Sequence, residues 1–277
     1  MTGRVVVVGT PIGNLGDLSP RAVAALAAAD VICCEDTRRT RQLLTAAGLQ
    51  ARRLEALHAH NEAAAVERAV RSALGGKTVA LVSDAGMPVI SDPGERLVRA
   101  AADAGVPVEV VPGPSAALAG LVVSGLPAGR FCFEGFLPRK GAERAARLAA
   151  LAVEPRTSVL YEAPHRVART FDDLTVVCGP DRPVVAAREL TKLHEQVWRG
   201  TLEEAVAWVS AVEPRGEWVL VLGGAPETAP AGGDVDAALR VRLAGGMERR
   251  AAVADVAASL GVARRLVYQA ALDLEGG

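Results

Sequence analysis

Three glycine- and proline-rich stretches carry the residues best suited to hold a small ligand. They are Gly9-Thr-Pro-Ile-Gly-Asn-Leu-Gly-Asp17, Ser83-Asp-Ala-Gly-Met-Pro-Val-Ile-Ser-Asp-Pro-Gly94 and Val111-Pro-Gly-Pro-Ser-Ala116, each directly after a valine-rich run. Glycine lets backbone approach a ligand closely, and loops at the carboxyl edge of one open α/β sheet converge on one crevice. Any one of these stretches alone reads as a turn; three on one sheet read as a site. A dinucleotide is the first candidate ligand, because Glu35-Asp36 follow a second apolar run at a distance suited to a ribose. The spacing argues against it. Pro11 stands where G-x-G-x-x-G needs its second glycine, and the next helix starts only at Ser19-Pro20, away from where a pyrophosphate would sit. An NAD(P)-dependent oxidoreductase is therefore the weaker reading.

The elements that must position these loops follow from the apolar pattern. Residues 5–8 read as a continuous apolar strand, as expected where both faces of a parallel sheet are covered, 31–34 as a second buried strand, and 79–82 and 108–111 as further strands. Ser19-Pro20 supplies an N-cap and an N1 proline for a helix to about residue 29. Asn61 caps another helix, with Val66, Val70 and Leu74 on one face and Gly75 at its end, and a further helix is expected near 95–104. This βαβ alternation predicts a mostly parallel sheet. At Leu126-Pro127-Ala128-Gly129 the composition shifts, and strands at 131–136, 158–161, 184–187 and 218–222 with helices between them predict a mixed α+β second lobe. The expected organisation is an α/β lobe (1–126), an α+β lobe (127–225), a linker (226–234) and a small C-terminal helical unit (235–277). In that last unit Val253, Val256, Ala257 and Leu260 form one face, Gly261 makes a turn, and Leu266, Val267 and Ala270 form the next face. The spacing fits a helix-turn-helix or a plain helical hairpin. Six arginines against five acids after residue 235 disfavour a DNA-repressor role.

Composition limits the partners. Aromatics are only 3% of a chain that is half apolar, so Ala, Val and Leu must fill the cores. A formal net charge of −1 announces no polyanionic partner, so any nucleic-acid reading rests on local clusters. The four cysteines have no C-x-x-C spacing, so no metal is expected. The longest apolar stretch, 116–126, is too short to span a bilayer, and the N-terminus lacks a signal-peptide pattern, which predicts a cytoplasmic chain.

In order along residues 4–222, Thr10-Pro-Ile-Gly-Asn-Leu-Gly-Asp17, Glu35-Asp-Thr-Arg38, His60-Asn-Glu62, Ser83-Asp-Ala-Gly86, Ile90-Ser-Asp-Pro-Gly94, Val111-Pro-Gly-Pro-Ser-Ala116, Phe133-Glu-Gly-Phe-Leu-Pro138, Tyr161-Glu-Ala-Pro-His-Arg166 and Arg188-Glu-Leu-Thr-Lys192 resemble the ribosomal small-subunit methyltransferase I family. That family methylates the ribose 2′-hydroxyl of a decoding-centre cytidine in 16S rRNA and has the two-lobed tetrapyrrole methylase fold. The resemblance implies S-adenosylmethionine in a cleft between the lobes, 16S rRNA or the small ribosomal subunit as partner, and a homodimer. Carried over by position, the donor would touch Ile12, Ala85, Gly86, Met87, Ile90, Ser115, Ala116 and Glu162. Met87 stands where threonine is expected. A tetrapyrrole-precursor C-methyltransferase shares the fold and donor, but the Thr10–Asp17 loop and the basic clusters favour RNA. A non-catalytic ribosome-binding module would not need three converging loops.

Methyl transfer needs an in-line approach of the hydroxyl oxygen, much of it a matter of positioning, and a base helps the hydroxyl react. Glu35, at the end of the second strand, is one candidate; the alternative is a carboxylate stabilising the helix that follows. His58, in a loop with His60 and Asn61, is a candidate for proton handling or RNA contact. Lys192 is a candidate for lowering the hydroxyl pKa or holding a phosphate. The RNA candidates are Arg38 and Arg39 with Arg41, Arg139 and Lys140 with Arg144 and Arg147, Arg166 beside His165, and Asn61. Residues 130–170 hold eight Lys/Arg and four Glu, a local net +4. Arg144 and Arg147 also fit a solvated helix face, and Phe131, Phe133 and Phe136 fit either base stacking or core packing.

Overall fold

The computed structural model describes residues 3–50, 53–58, 61–213, 215–226, 232–260 and 264–274. Valine-rich segments build the first sheet: β1 (Arg4–Val8), β2 (Val31–Cys34), β3 (Leu54–Ala56), β4 (Thr78–Leu81) and β5 (Val108–Val111). Their order is β3-β2-β4-β1-β5 and every pairing is parallel. Alternate side chains point to opposite faces, and both faces are covered over β1, β2 and β4, while the edge strand β5 leaves Val108, Glu109 and Val110 exposed. Val5, Val7, Cys33, Val79 and Leu81 meet helices α3 (Glu62–Leu74) and α4 (Glu95–Asp103). Val6, Val8, Ile32, Cys34 and Ala80 meet α1 (Pro20–Ala28) and α2 (Thr37–Ala46). The Ser19 hydroxyl accepts from Ala22 N at the start of α1, as its Ser-Pro sequence predicts.

Two departures from the expected pattern have physical causes. Strand β3 has only three residues and a charged centre; Glu55 is buried there because Arg53 and Arg68 reach it at 3.0 and 3.3 Å. On α3 the buried face is Ala65, Val66, Ala69 and Ala73, while Leu74 is exposed. Small residues let the helix lie close on the sheet, so the larger leucine is left outside.

The second lobe is a mixed sheet of β6 (Phe131–Phe136), β7 (Thr157–Glu162), β8 (Pro183–Arg188), β9 (Gln196–Thr201) and β10 (Trp218–Leu222), ordered β6-β7-β10-β8-β9. Only β6 and β7 pair in parallel; the other neighbours are antiparallel. Strand β9, a polar antiparallel edge, has no apolar run to announce it. Helices α6 (Gly141–Val153), α7 (Val167–Cys178) and α8 (Leu202–Ser210) cover one face through Leu148, Leu151, Phe171, Leu174, Leu202 and Val209. The other face is covered by α5 (Ala116–Ser124), which grows directly out of the third loop. Gly120 makes that packing close: a Cβ there would lie 2.6 Å from a Val219 methyl.

Both sheets belong to one compact unit, Met1–Ala225. A second unit, Pro226–Gly277, contains α9 (Gly232–Ala244), α10 (Arg249–Leu260) and α11 (Arg264–Asp273) around Leu239, Ala252, Val253, Val256, Val267 and Ala271. Helix α9 begins inside the stretch read as linker. The expected faces are buried at Val253, Val256, Ala257 and Val267, with Ala270 packed against them, whereas Leu260 and Leu266 are exposed. The expected turn at Gly261 lies outside the described residues. Among the described residues, no helix is long and apolar enough to cross a membrane.

Candidate active site

The three loops meet at the carboxyl edge of the parallel sheet. Gly9 N donates to Val111 O at 3.0 Å, joining the first loop to the third. Thr10 and Gly86 exchange backbone hydrogen bonds of 2.9 and 3.2 Å, joining the first to the second. Gly9 and Gly113 lie backbone against backbone: a Cβ on Gly9 would fall 2.6 Å from Gly113 Cα. Only glycine at both positions allows that approach. In the second loop Val89 and Ser91 have φ of 78° and 63°, a left-handed conformation costly for a β-branched residue such as valine. They flank Ile90 and lead into Asp92. The Ser115 hydroxyl accepts from Leu118 N at the start of α5, and the Tyr161 hydroxyl from β7 accepts from Ala117 N at 3.1 Å.

Between these loops and the second lobe lies a cavity of about 290 Å³. Ile12, Ala85, Gly86, Met87, Ile90, Ser115, Ala116 and Glu162, singled out from the sequence, all line it. Asp92, Tyr161 and Glu217 line it too without having been singled out, and so does Phe136, which the sequence offered for base stacking or core packing. Asp92, Phe136 and Tyr161 each fall within a quoted motif, Ile90–Gly94, Phe133–Pro138 and Tyr161–Arg166, whereas Glu217 precedes β10 outside any of them and only the fold reveals its facing. Phe136 is half-exposed, 5.6 Å from the Tyr161 ring, whereas Phe131 and Phe133 pack into the core behind. The Met87 sulfur accepts from Gly113 N at 3.3 Å, so this side chain links the second and third loops. The Glu162 carboxylate is buried and already engaged: Ala163 N donates to it at 2.8 Å, Thr170 Oγ1 at 2.6 Å, and Arg166 lies at 3.2 Å. It is a strut in the cavity wall.

Carboxylates crowd the inner side of the site. Burial, and then the charge of Glu35, push the Asp92 carboxyl up to about 6. Burial, and then Asp84, also raise the Glu35 carboxyl. Asp84 itself accepts from Asp36 N at 3.1 Å and faces Arg39 at 3.5 Å. Glu35 is thus a partly buried acid behind the loops, and the cavity lining does not include it. His58 lowers the Glu35 carboxyl, which places the imidazole within electrostatic reach of it. Asn61 occupies the N-cap position of α3 without a side-chain cap bond; its amide instead accepts from His58 N and donates to Ala56 O, both at 2.9 Å. It holds the loop that carries His58, so its side chain is already committed. His60 lies outside the described residues.

A second, more polar cavity of about 450 Å³ shares Ile12, Ala85 and Glu217 with the first and is lined also by Thr10, Arg39, Gln42 and Lys192. Lys192 donates to Glu189 at 2.9 Å and Glu217 at 3.0 Å. Burial alone would lower its pKa, but the two carboxylates outweigh it and raise it. Lys192 therefore stays charged and cannot serve as a base. Its loop is clamped to the first, with Asn14 N donating to Thr191 Oγ1 at 3.2 Å.

The basic candidates separate into two groups. Arg38, Arg39, Arg139 and Lys140 are exposed. Arg38 folds back on Asp36 at 3.1 Å. Arg144 is not on a solvated face: it is 4% exposed and bonded to Asp173, Thr170 and Pro138 O. Arg166, expected as an RNA contact, turns inward to Glu162 and donates to Leu137 O at 2.6 Å. Together these two guanidiniums fix the carbonyls just before Arg139-Lys140. Arg147 pairs with Glu134 at 3.0 Å.

Residues 4–206 match the family model of the Tetrapyrrole (Corrin/Porphyrin) Methylases. Solved structures agree with that fold. The methyltransferase CobJ superposes with a TM-score of 0.62 at 24% identity, covering 81% of this chain and 95% of that one. The uroporphyrin-III C-methyl transferase of Thermus thermophilus, complexed with S-adenyl homocysteine, gives 0.57 at 24% identity, covering 80% and 97%. Closer in sequence are proteins named ribosomal RNA small subunit methyltransferase I. The Xylella fastidiosa protein is 52% identical over 81% of this chain and 83% of its own length. Those of Synechocystis and Mycobacterium tuberculosis are 44% and 46% identical over 99% and 98% of this chain, and 99% and 95% of their own. On this evidence the chain is a tetrapyrrole-methylase-fold protein that belongs to the ribosomal RNA small subunit methyltransferase I family.

Proposed function

We propose that the chain transfers the methyl group of S-adenosylmethionine to the ribose 2′-hydroxyl of a cytidine in the decoding region of 16S rRNA, working as a homodimer in the cytoplasm. The observation that carries this is the convergence of Ile12, Ala85, Gly86, Met87, Ile90, Ser115, Ala116 and Glu162 on one cavity, in a chain about half identical to rRNA methyltransferases. The cavity is small, mostly apolar and edged by a few polar groups, as ligand sites are. Asp92 gives it a negative group facing a cationic ligand. The donor supplies an electrophilic methyl carbon on a sulfonium.

The chain's own residues then position and deprotonate. Tyr161 and Ser115 fix the start of α5 at the cavity wall. Glu35, a partly buried acid whose carboxyl is raised by burial and then by Asp84, is the group we assign to take the hydroxyl proton as the C–O bond forms and the C–S bond breaks. His58 lies within its electrostatic reach. Lys192 positions the wall shared by the two cavities. Arg38, Arg39, Arg139 and Lys140 offer positive charge to RNA phosphates. The test is transfer of labelled methyl to undermethylated small subunits, to naked 16S rRNA and to a tetrapyrrole precursor, with nucleoside analysis for 2′-O-methylcytidine. Transfer to neither RNA form refutes the reading; transfer to the tetrapyrrole alone makes this a C-methyltransferase.

A further inference from the structure

The C-terminal unit looks electrically neutral by count, yet its charges are segregated. Arg249, Arg250, Arg264 and Arg265 all line one open groove of about 930 Å³, with Tyr268 and Gln269, and the single acid there is Glu248. All four arginines are exposed. Among the described residues, Arg250, Arg264 and Arg265 meet no carboxylate within 4.0 Å, whereas Arg242, outside the groove, pairs with Asp255 at 2.9 Å.

The placement is unfavourable for the folded unit on its own. Arg249 and Arg250 open α10, Arg264 and Arg265 open α11, and neither helix has an acid in its first turn. The amino end of a helix carries partial positive charge, so each cation there is repelled where an acid would be attracted. Helices α3, α4, α6 and α8 each carry a glutamate in the first turn, whereas α1, α2, α5 and α7 carry no acid there. Two helix amino ends and four guanidiniums facing one groove favour an anion with several negative groups spaced along it. A phosphodiester backbone has that form, and guanidinium forks match phosphate in pairs. Tyr268, half-exposed beside the arginines, offers a ring on which an unpaired base can stack. A protein partner would call for an apolar centre, and this groove has only Val253, which is buried.

We infer that the groove formed by Arg249, Arg250, Arg264, Arg265 and Tyr268 is a second RNA-binding surface, carried by the C-terminal unit, which grips the phosphate backbone of the rRNA substrate. The inference rests on the rRNA methyltransferase reading above. It is tested in the full chain with the triple reversal R250E/R264E/R265E, the conservative R250K/R264K/R265K, and R240E, which changes an exposed charge outside the groove. Affinity for naked 16S rRNA and for small subunits is measured across salt concentrations, together with S-adenosylhomocysteine binding and thermal unfolding. The triple reversal is expected to weaken RNA binding about tenfold or more at 0.1 M salt and to flatten the salt dependence by about two units of slope. The lysine variant should retain most of the affinity, R240E should match wild type, and ligand binding should be unchanged throughout. Wild-type RNA affinity and slope in a folded triple reversal overturn the inference. So does a loss seen with small subunits but not naked rRNA, which would make the groove a ribosomal-protein contact. If the wild-type chain itself neither binds nor methylates RNA, the functional reading fails instead.

Discussion

Asp92 is where stability and ligand binding oppose each other most directly. Asp92 lines the cavity proposed to hold the donor, and its carboxyl is raised from 3.8 to about 6 by burial and by Glu35. Because the folded value lies above the unfolded one, folding favours the protonated acid. The penalty is absent below about pH 4, grows as pH rises toward 6, and is constant above that. At about 1.4 kcal/mol per tenfold change, the full value is about 3 kcal/mol. Asp92 is only part-buried, so solvent screening reduces this to about 1.5 kcal/mol. Asp92→Asn removes the charge and keeps the shape. In urea or thermal unfolding of the ligand-free protein at pH 7.5 it should gain about 1.5 kcal/mol, a rise of about 3–6 °C in Tm. The gain should shrink as pH falls through 6 and vanish near 4. The same variant should bind S-adenosylmethionine about tenfold or more weakly in calorimetric titration, having lost a charge-assisted partner for a cation. A destabilised Asp92→Asn, or a gain as large at pH 4.5 as at 7.5, would refute the reasoning.

Other substitutions separate the remaining roles. Glu35→Gln should keep donor affinity and lose most turnover; wild-type kcat in a single-turnover assay would reduce Glu35 to a structural carboxylate. Arg166→Met should destabilise the fold by about 3 kcal/mol, since it leaves the buried Glu162 carboxylate without its cation; unchanged Tm with weakened RNA binding would restore Arg166 as an RNA contact. Gly113→Ala should cost about 1–3 kcal/mol and abolish donor binding, because its Cβ would fall 2.8 Å from the Gly9 backbone; calorimetry and unfolding both read this. Reversing Arg139 and Lys140 should raise KM for RNA, leave donor affinity intact and reduce the salt dependence, and an unchanged salt slope would remove that loop from the RNA contacts.

What could be read from the residues divides along a physical line. Continuous valine runs, the Ser19-Pro20 helix start and the glycine loops are local signals, and the first sheet follows from them. Strand β3 depends on ion pairs between Glu55 and two arginines from different elements, and β9 is a polar edge, so neither has a local signature. The cavity residues on the three loops were legible because their motifs are contiguous. Phe136 and Tyr161 lie in contiguous motifs too, but that their side chains reach the cavity follows only from the pairing of β6 and β7, and Glu217 has no motif at all. The charged side chains were hardest. Arg144 and Arg166 are spaced like surface cations, and only packing reveals that they are buried ties, while the arginines of α10 and α11 are diluted by distant acids in any count of net charge.

The hydrogen bond from Ala117 N to the Tyr161 hydroxyl has a mechanical consequence. It fastens the first turn of α5 to β7, and α5 covers the inner face of the second sheet. The third loop is therefore carried by one lobe at its start and by the other at its end. A hinge that opened the lobes would have to bend within Pro112-Gly113-Pro114, where two prolines restrict the backbone and Gly113 is wedged against Gly9. At this point the two lobes are joined through a backbone segment that proline and close packing both restrict.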